Sequence, residues 1–217
     1  MSIDALWEYG DPEASERRFR AAMEGADGAT RLELLTQVAR TLGLRKRFSE
    51  GHQVLDEVDA ALAGGAAPGA DAAAAQRASV RTLLERGRLH NSAGDPGAAR
   101  ALFQAAAARA EAAALDGLAV DAVHMVAITH SGGPEGVEWN RRGLELARRS
   151  ADVKARSLIP AMLNNMAWDL LDMGRAEEAL PVFREAEREW TERGREPQIK
   201  AAREAVAACL KALGRSE

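Results

Sequence analysis

The sequence predicts an all-α chain of about ten helices arranged as antiparallel pairs, and three observations predict it. Hydrophobic residues make up 47% of the chain and aromatics 4%, with alanine leading. Alanine is the best helix former and lets helix backbones approach closely. Runs of Val, Ile, Thr and Tyr that would mark strands are absent. Helical stretches instead alternate with glycine and proline breaks, at Gly10-Asp11-Pro12, 25–28, Gly94-Asp95-Pro96, Gly132-Gly133-Pro134 and Gly174-Arg175.

Taken in order, the breaks place helices near 12–24, 29–43, 47–63, 72–93, 96–114, 117–131, 134–150, 154–173, 176–194 and 197–213. Proline sits just inside several of these starts, where its missing N–H would be unpaired anyway. The soft stretch Gly64-Gly65-Ala66-Ala67-Pro68-Gly69-Ala70 reads as a flexible connector. It is too short to force a domain boundary, so residues 1–217 read as a single domain.

Charge and composition exclude several function classes. The 217 residues carry a net charge of −4, with 29% charged residues of both signs interspersed. A nucleic-acid binder would show a basic surplus or stripe. The only dense basic run, Arg45-Lys46-Arg47, falls at a turn. The single cysteine, Cys209, lies in an apolar helical segment and reads as a buried, inert thiol. The N-terminal residues lack the basic start and apolar run of a signal peptide, and no stretch is apolar enough to span a membrane. A cytoplasmic protein without nucleic-acid or membrane partners is expected. The alanine and arginine usage points to a GC-rich bacterial genome.

A repeat runs through the helices. In Leu83-x-x-Arg86-Gly87-x-x-His90 a small residue stands mid-helix between larger ones, and after the turn at Gly94-Asp95 the chain continues Ala99-x-x-x-Phe103-x-x-Ala106. The layout recurs as Leu163-x-x-Met166-Ala167-x-x-Leu170 followed by Ala179-x-x-x-Phe183-x-x-Ala186. A weaker copy runs Leu35-x-x-Val38-Ala39-x-x-Leu42 followed by Gly51-x-x-x-Leu55-x-x-Val58. From Gly87 to Ala99, Ala167 to Ala179 and Ala39 to Gly51 the offset is 12 residues each time. In a fourth copy, containing Gly136 and Gly143, that offset lands on His124; either the pairing slips there or Ala127 takes the small-residue role.

This pattern resembles the tetratricopeptide-repeat (TPR) family, in which two antiparallel helices pack where their small residues meet. The resemblance implies a right-handed α-solenoid. It divides the chain into a partial repeat at 10–24, repeats near 29–63, 72–114, 117–150 and 154–194, and a capping helix at 197–213 around Ala207. The small-residue positions at 39, 87, 124, 167 and 207 are spaced more widely than the family's usual 34 residues, so longer helices are expected.

The resemblance further implies a scaffold that binds a protein or peptide on the concave face lined by the first helices. On this sequence the face falls on Thr36 and Arg40; Arg81, Leu84, Arg88 and Asn91; Asp121, Met125 and Ile128; Asn164, Trp168 and Asp172; and Glu204 and Lys211. Arg and Asn suit carboxylates and backbone amides, and Trp and Met suit apolar anchoring. Asn165 stands where the family often carries a structural asparagine. One family subset grips acidic C-termini with a fixed Lys and Asn clamp, and Thr36 and Arg40 stand where its first-repeat residues belong, so that clamp is not expected.

No motif for catalysis, cofactor or metal appears: there is no phosphate loop, HExxH or paired-cysteine spacing. His52, His90, His124 and His130 fall in different repeats or turns, and His124 and His130 do not share a helix face. No enzyme is expected. The alternatives to groove binding are a homodimer formed through Trp7, Tyr9, Trp139 and Trp190, or a peptide-sensing regulator.

Overall fold

Aspartate and proline set many of the helix starts. In the computed structural model, which describes residues 3–8, 10–65 and 72–215, α1 runs over Pro12–Ala22, α2 over Gly28–Leu44, α3 over Phe48–Ala63, α4 over Ala72–Ser92 and α5 over Pro96–Ala112. They are followed by α6 (Asp116–Ile128), α7 (Pro134–Arg149), α8 (Val153–Ser157), α9 (Ile159–Asp172), α10 (Ala176–Glu192) and α11 (Glu196–Ala212). The carboxylates of Asp11, Asp27 and Asp95 accept the backbone N–H of Ala14, Thr30 and Ala98 at 2.9, 2.8 and 3.0 Å. Each satisfies a donor that the first helical turn cannot pair. No strand occurs among the described residues. Of the predicted connector, residues 66–70 lie outside the described residues, as does Tyr9.

The helix expected over 154–173 is broken in two. Pro160 has no N–H to give to the carbonyl of Arg156, and α8 ends at Ser157 before α9 begins at Ile159. Arg193 Nη2 donates to the freed Arg156 oxygen at 3.1 Å.

The chain folds as two compact units, Met1–Leu115 and Asp116–Glu217. In the first, α2 packs against α1, α3 and α4, and α4 packs against α5. Phe19, Met23, Leu34, Val38 and Leu42 fill the α1–α2 side. Ala39, Leu55 and Leu89 fill the space between α2, α3 and α4. In the second unit α6 packs on α7, α7 on α9, α9 on α10 and α10 on α11. Its core includes Val137, Leu144, Met162, Leu163, Leu170, Phe183 and Cys209. Cys209 is buried, its Sγ–H donates to Ala176 O at 3.3 Å, and burial pushes its thiol pKa up.

The turns repeat as the helices do. Ala39, Gly87 and Ala167 are all buried. Seven residues further on, Lys46, Gly94 and Gly174 take positive φ of 60, 89 and 74°. That left-handed residue closes the end of the first helix of each pair. Gly214, seven residues after Ala207, has φ 67°. Ala207 itself is exposed, while Ala205, Val206, Cys209 and Leu210 are buried; no helix follows α11 among the described residues to cover it.

Candidate binding faces of the first helices

In the first unit, the predicted cations are drawn together by two carboxylates. Glu33 of α2 and Glu85 of α4 are 4% and 1% exposed. Glu33 accepts from Arg77 Nε at 2.7 Å and from Arg81 Nε at 3.3 Å. Glu85 Oε1 accepts from Arg88 Nη1 at 2.6 Å, and Arg40 Nη1 lies 3.9 Å from the same oxygen. Arg40, Arg81 and Arg88 therefore cluster along the α2–α4 seam. Asn91, one turn beyond Arg88, is partly exposed. Glu85 Oε2 is buried with no hydrogen-bond partner. Sequence reasoning missed both carboxylates; the available signal was a glutamate set among leucines, as in Leu32-Glu33-Leu34 and Leu83-Leu84-Glu85.

Two positions expected on the exposed face are buried instead. Thr36 is 0% and Leu84 1% exposed. The cause is the direct packing of α2 along α4, which encloses side chains that a looser arrangement would leave in solvent. Thr36 Oγ1 donates to Glu33 O at 2.6 Å, within its own helix.

Trp7 is also not a free surface aromatic. Its Nε1–H donates to Gln37 Oε1 at 3.3 Å. Its ring meets Phe19 edge-on at 5.1 Å, and the Arg40 guanidinium carbon lies 5.3 Å from the ring centroid.

In the second unit, Asn164, Trp168 and Asp172 share one face of α9 by their spacing of four. Trp168 is 39% exposed and stands edge-on to Phe183 of α10 at 5.2 Å. Asp172 is exposed and Asn164 partly so. Asp121, Met125 and Ile128 of α6 are all partly exposed, while Glu204 and Lys211 of α11 are exposed. Asn165 Nδ2 lies 3.0 Å from His124 Nε2, which ties α9 to α6 and gives Asn165 the structural bond expected of it. His124 thus turns toward α9, and Ala119, Ala122 and Ala127 of α6 are all buried.

Behind this face, Asp169 is 4% exposed. It accepts from Gly132 N–H at 2.7 Å and, more loosely, from Asn140 Nδ2 at 3.4 Å. Burial raises its pKa above 3.8, and the neighbouring Asp172 adds to the rise against those two hydrogen bonds.

The histidines are not all as separate as their sequence positions. His52 and His90 meet with ring centroids 4.9 Å apart, and Arg86 Nη1 lies 3.5 Å from His52 Nδ1. Burial, then His90 and Arg86, hold the His52 pKa below 6.5. Among the described residues no group of three or more His, Cys, Asp or Glu is placed to hold a metal ion. No helix among them is long and apolar enough to cross a membrane.

No protein-family model matches the sequence, and no curated protein does. Solved structures do. The chain is similar to a crystal structure of the nearly identical TPR-like repeats of a putative kinesin light chain from Podosopora anserina, with TM-score 0.61. The match covers 87% of this chain and 89% of that one at 16% identity. A second structure of those repeats matches with TM-score 0.59, over 87% and 90% of the two chains, at 16% identity. The chain has a TPR-like repeat fold. Within that fold α2 packs on α3, α4 on α5, α6 on α7 and α9 on α10. A likeness at this identity is one of backbone architecture, and the side chains of this chain must speak for its binding chemistry.

Proposed function

We propose that this TPR-like chain is a protein-binding scaffold, not an enzyme, and that it holds a peptide segment of a partner on the exposed face of its first helices. One observation carries the reading. Trp168 is 39% exposed on α9, flanked at four residues on either side by Asn164 and Asp172. Leaving indole surface in water forfeits the free energy of burying it, and tryptophan is the residue type most enriched at the energetic centres of interfaces. Asn164 offers a donor and an acceptor to a peptide backbone, Asp172 offers an acceptor, and Asp121 and Met125 of α6 extend the proposed site. Arg40, Arg81, Arg88 and Asn91 offer donors to a partner on the first unit, the guanidinium groups being held in place by Glu33 and Glu85.

The test is capture from lysate of the source organism. The wild-type chain is compared with Trp168→Ala and Asn164→Ala variants whose helicity is verified by circular dichroism, and retained proteins are identified by mass spectrometry. A partner held by wild type and depleted about tenfold or more by folded Trp168→Ala supports the α9 face, a loss typical of an interface anchor. Identical retention by all baits rejects that face. Retention of the chain alone transfers the reading to self-association, which the solution mass then decides.

A further inference from the structure

Helix α2 is enclosed on three sides. Leu34, Val38 and Leu42 turn toward Phe19 and Met23. Ala39 turns toward Leu55 of α3, and Glu33 and Arg40 reach the side chains of α4. At about 100° per residue, Gln37 falls on the remaining side. Gln37 is nevertheless only 1% exposed, and it accepts a hydrogen bond from the Trp7 indole.

We infer that this side of α2, around Gln37 and Arg40, is a binding site for a tryptophan side chain of a partner peptide, and that the chain's own Trp7 occupies it until such a peptide displaces it. The inference rests on the reading that the chain binds peptides. It adds which side chain is recognised in the first unit and what keeps the site closed.

The cradle reads three features of an indole at once. Gln37 Oε1 accepts the N–H, the Arg40 guanidinium lies over the ring 5.3 Å from its centroid, and the Phe19 ring meets it edge-on. A cation over an indole face is the strongest of the aromatic cation contacts, and an indole N–H needs an acceptor when buried. Phenylalanine would lose the first contact, and an aliphatic side chain all three.

The segment that delivers Trp7 is lightly attached. Among its described residues the only regular structure is one 3₁₀ turn, Ile3–Leu6, too short to be stable by itself. Beyond the indole its contacts include Ser15, whose Oγ accepts Glu8 N–H at 2.8 Å and lies 3.0 Å from Glu8 O, the solvent-exposed ion pair of Glu8 with Arg18 at 3.1 Å, and apolar contact of Ile3 and Leu6. A cleft of about 240 Å³ bordered by Ile3, Leu6, Ala22, Ala26, Thr30 and Leu34 remains beside it. None of residues 3–8 is buried. Segments with few buried contacts open locally without global unfolding. While Trp7 is in place, the apparent affinity for an outside peptide is reduced by the fraction of molecules that are open.

The probe is a fluorescein-labelled, N-acetylated hexapeptide with the chain's own residues 3–8, Ile-Asp-Ala-Leu-Trp-Glu. A second peptide carries alanine in place of its tryptophan. Anisotropy titrations compare full-length wild type with Trp7→Ala. The expected result is that folded Trp7→Ala binds the tryptophan peptide about tenfold or more tightly than wild type does. The alanine peptide should not bind, and adding Gln37→Leu to the variant should weaken binding about tenfold. A folded Trp7→Ala that ignores the probe, or binds both peptides equally, overturns the inference.

If Trp7→Ala does not fold, hydrogen exchange of the Trp7 indole N–H in wild type decides. Exchange about a hundredfold faster than global unfolding supports a displaceable occupant. Exchange only through global unfolding makes Trp7 a fixed part of the core and refutes the site. Trp168-dependent capture that persists without probe binding refutes this inference alone, and probe binding without Trp168-dependent capture refutes only the α9 face.

Discussion

Gly87 of α4 lies flat against the ring of Phe103 of α5: a methyl group at position 87 would stand 2.5 Å from Phe103 Cε1. Phe103 is fully buried, so the ring has nowhere to retreat. Mid-helix glycine costs about 1 kcal/mol relative to alanine, and on propensity alone Gly87→Ala should stabilise. The contact reverses the sign, because overpacking a filled core costs about 1–3 kcal/mol. Gly87→Ala is expected to lower stability in urea unfolding by about that range. Gly97→Ala is the control, since its nearest neighbour is Asp95 Oδ1 at an ordinary 3.6 Å; it should be neutral or stabilising by up to about 1 kcal/mol. A stabilising Gly87→Ala would mean that the helix pair is looser than the contact implies.

The left-handed turn residue gives a prediction of the opposite sign. Lys46 occupies, at φ 60°, the place that Gly94 and Gly174 occupy in the matching turns. A side chain in that region costs roughly 1–2 kcal/mol, part of which glycine gives back through its freer unfolded chain. Lys46→Gly should therefore raise stability by about 0.5–1 kcal/mol, and Gly94→Ala should lower it by about 1 kcal/mol. Unfolding midpoints that move the same way for both substitutions would contradict the shared geometry.

These two sites show where the sequence was readable and where it was not. The 12-residue offset from Gly87 to Ala99 announced the helix pair because a constant loop length fixes which small residues meet. Lys46 was legible as a turn residue but not as a left-handed one, since that conformation is imposed by the two helices it joins and not by its own preference. Pro160 was in plain view, yet apolar periodicity continued across it and the break at Leu158 was overlooked. Thr36 and Leu84 failed for another reason. Helical spacing says which side a residue faces but not how near the next helix stands, and α2 and α4 stand close. Trp7, Gln37 and the Glu33 and Glu85 clusters depend on partners 30 to 48 residues away, which no local pattern encodes.

Glu33 should matter more than either arginine it holds. Its side chain is 5% exposed, against 12% for Arg81 and 35% for Arg77. Removing a buried partner strands the remaining charge, at about 3–5 kcal/mol in fully buried pairs. With Arg77 able to turn to solvent, Glu33→Ala is expected to cost about 1–3 kcal/mol. Arg77→Ala should cost less than about 1 kcal/mol. Denaturant unfolding measures both, and the order of the two losses is the point at issue. High salt should change the Glu33→Ala loss little, because buried pairs are weakly screened.

Asp169 carries a pH signature whose sign can be worked out. Burial raises its pKa above 3.8, opposed by the Gly132 N–H, assisted by Asp172 and opposed again by the Asn140 amide. A carboxyl whose folded pKa lies above its unfolded value holds its proton more tightly when folded. Its stabilising contribution is full below pH 3.8 and is lost as pH rises through the folded value. Asp169→Asn keeps an oxygen able to accept from Gly132 N–H but has no proton to lose. The stability of wild type relative to Asp169→Asn should therefore fall as pH is raised from 3.8 toward neutrality, read from urea unfolding at a series of pH values. A difference that stays constant would mean that Asp169 is solvated well enough to ionise normally. A difference that grows would mean that the Gly132 and Asn140 hydrogen bonds outweigh its burial.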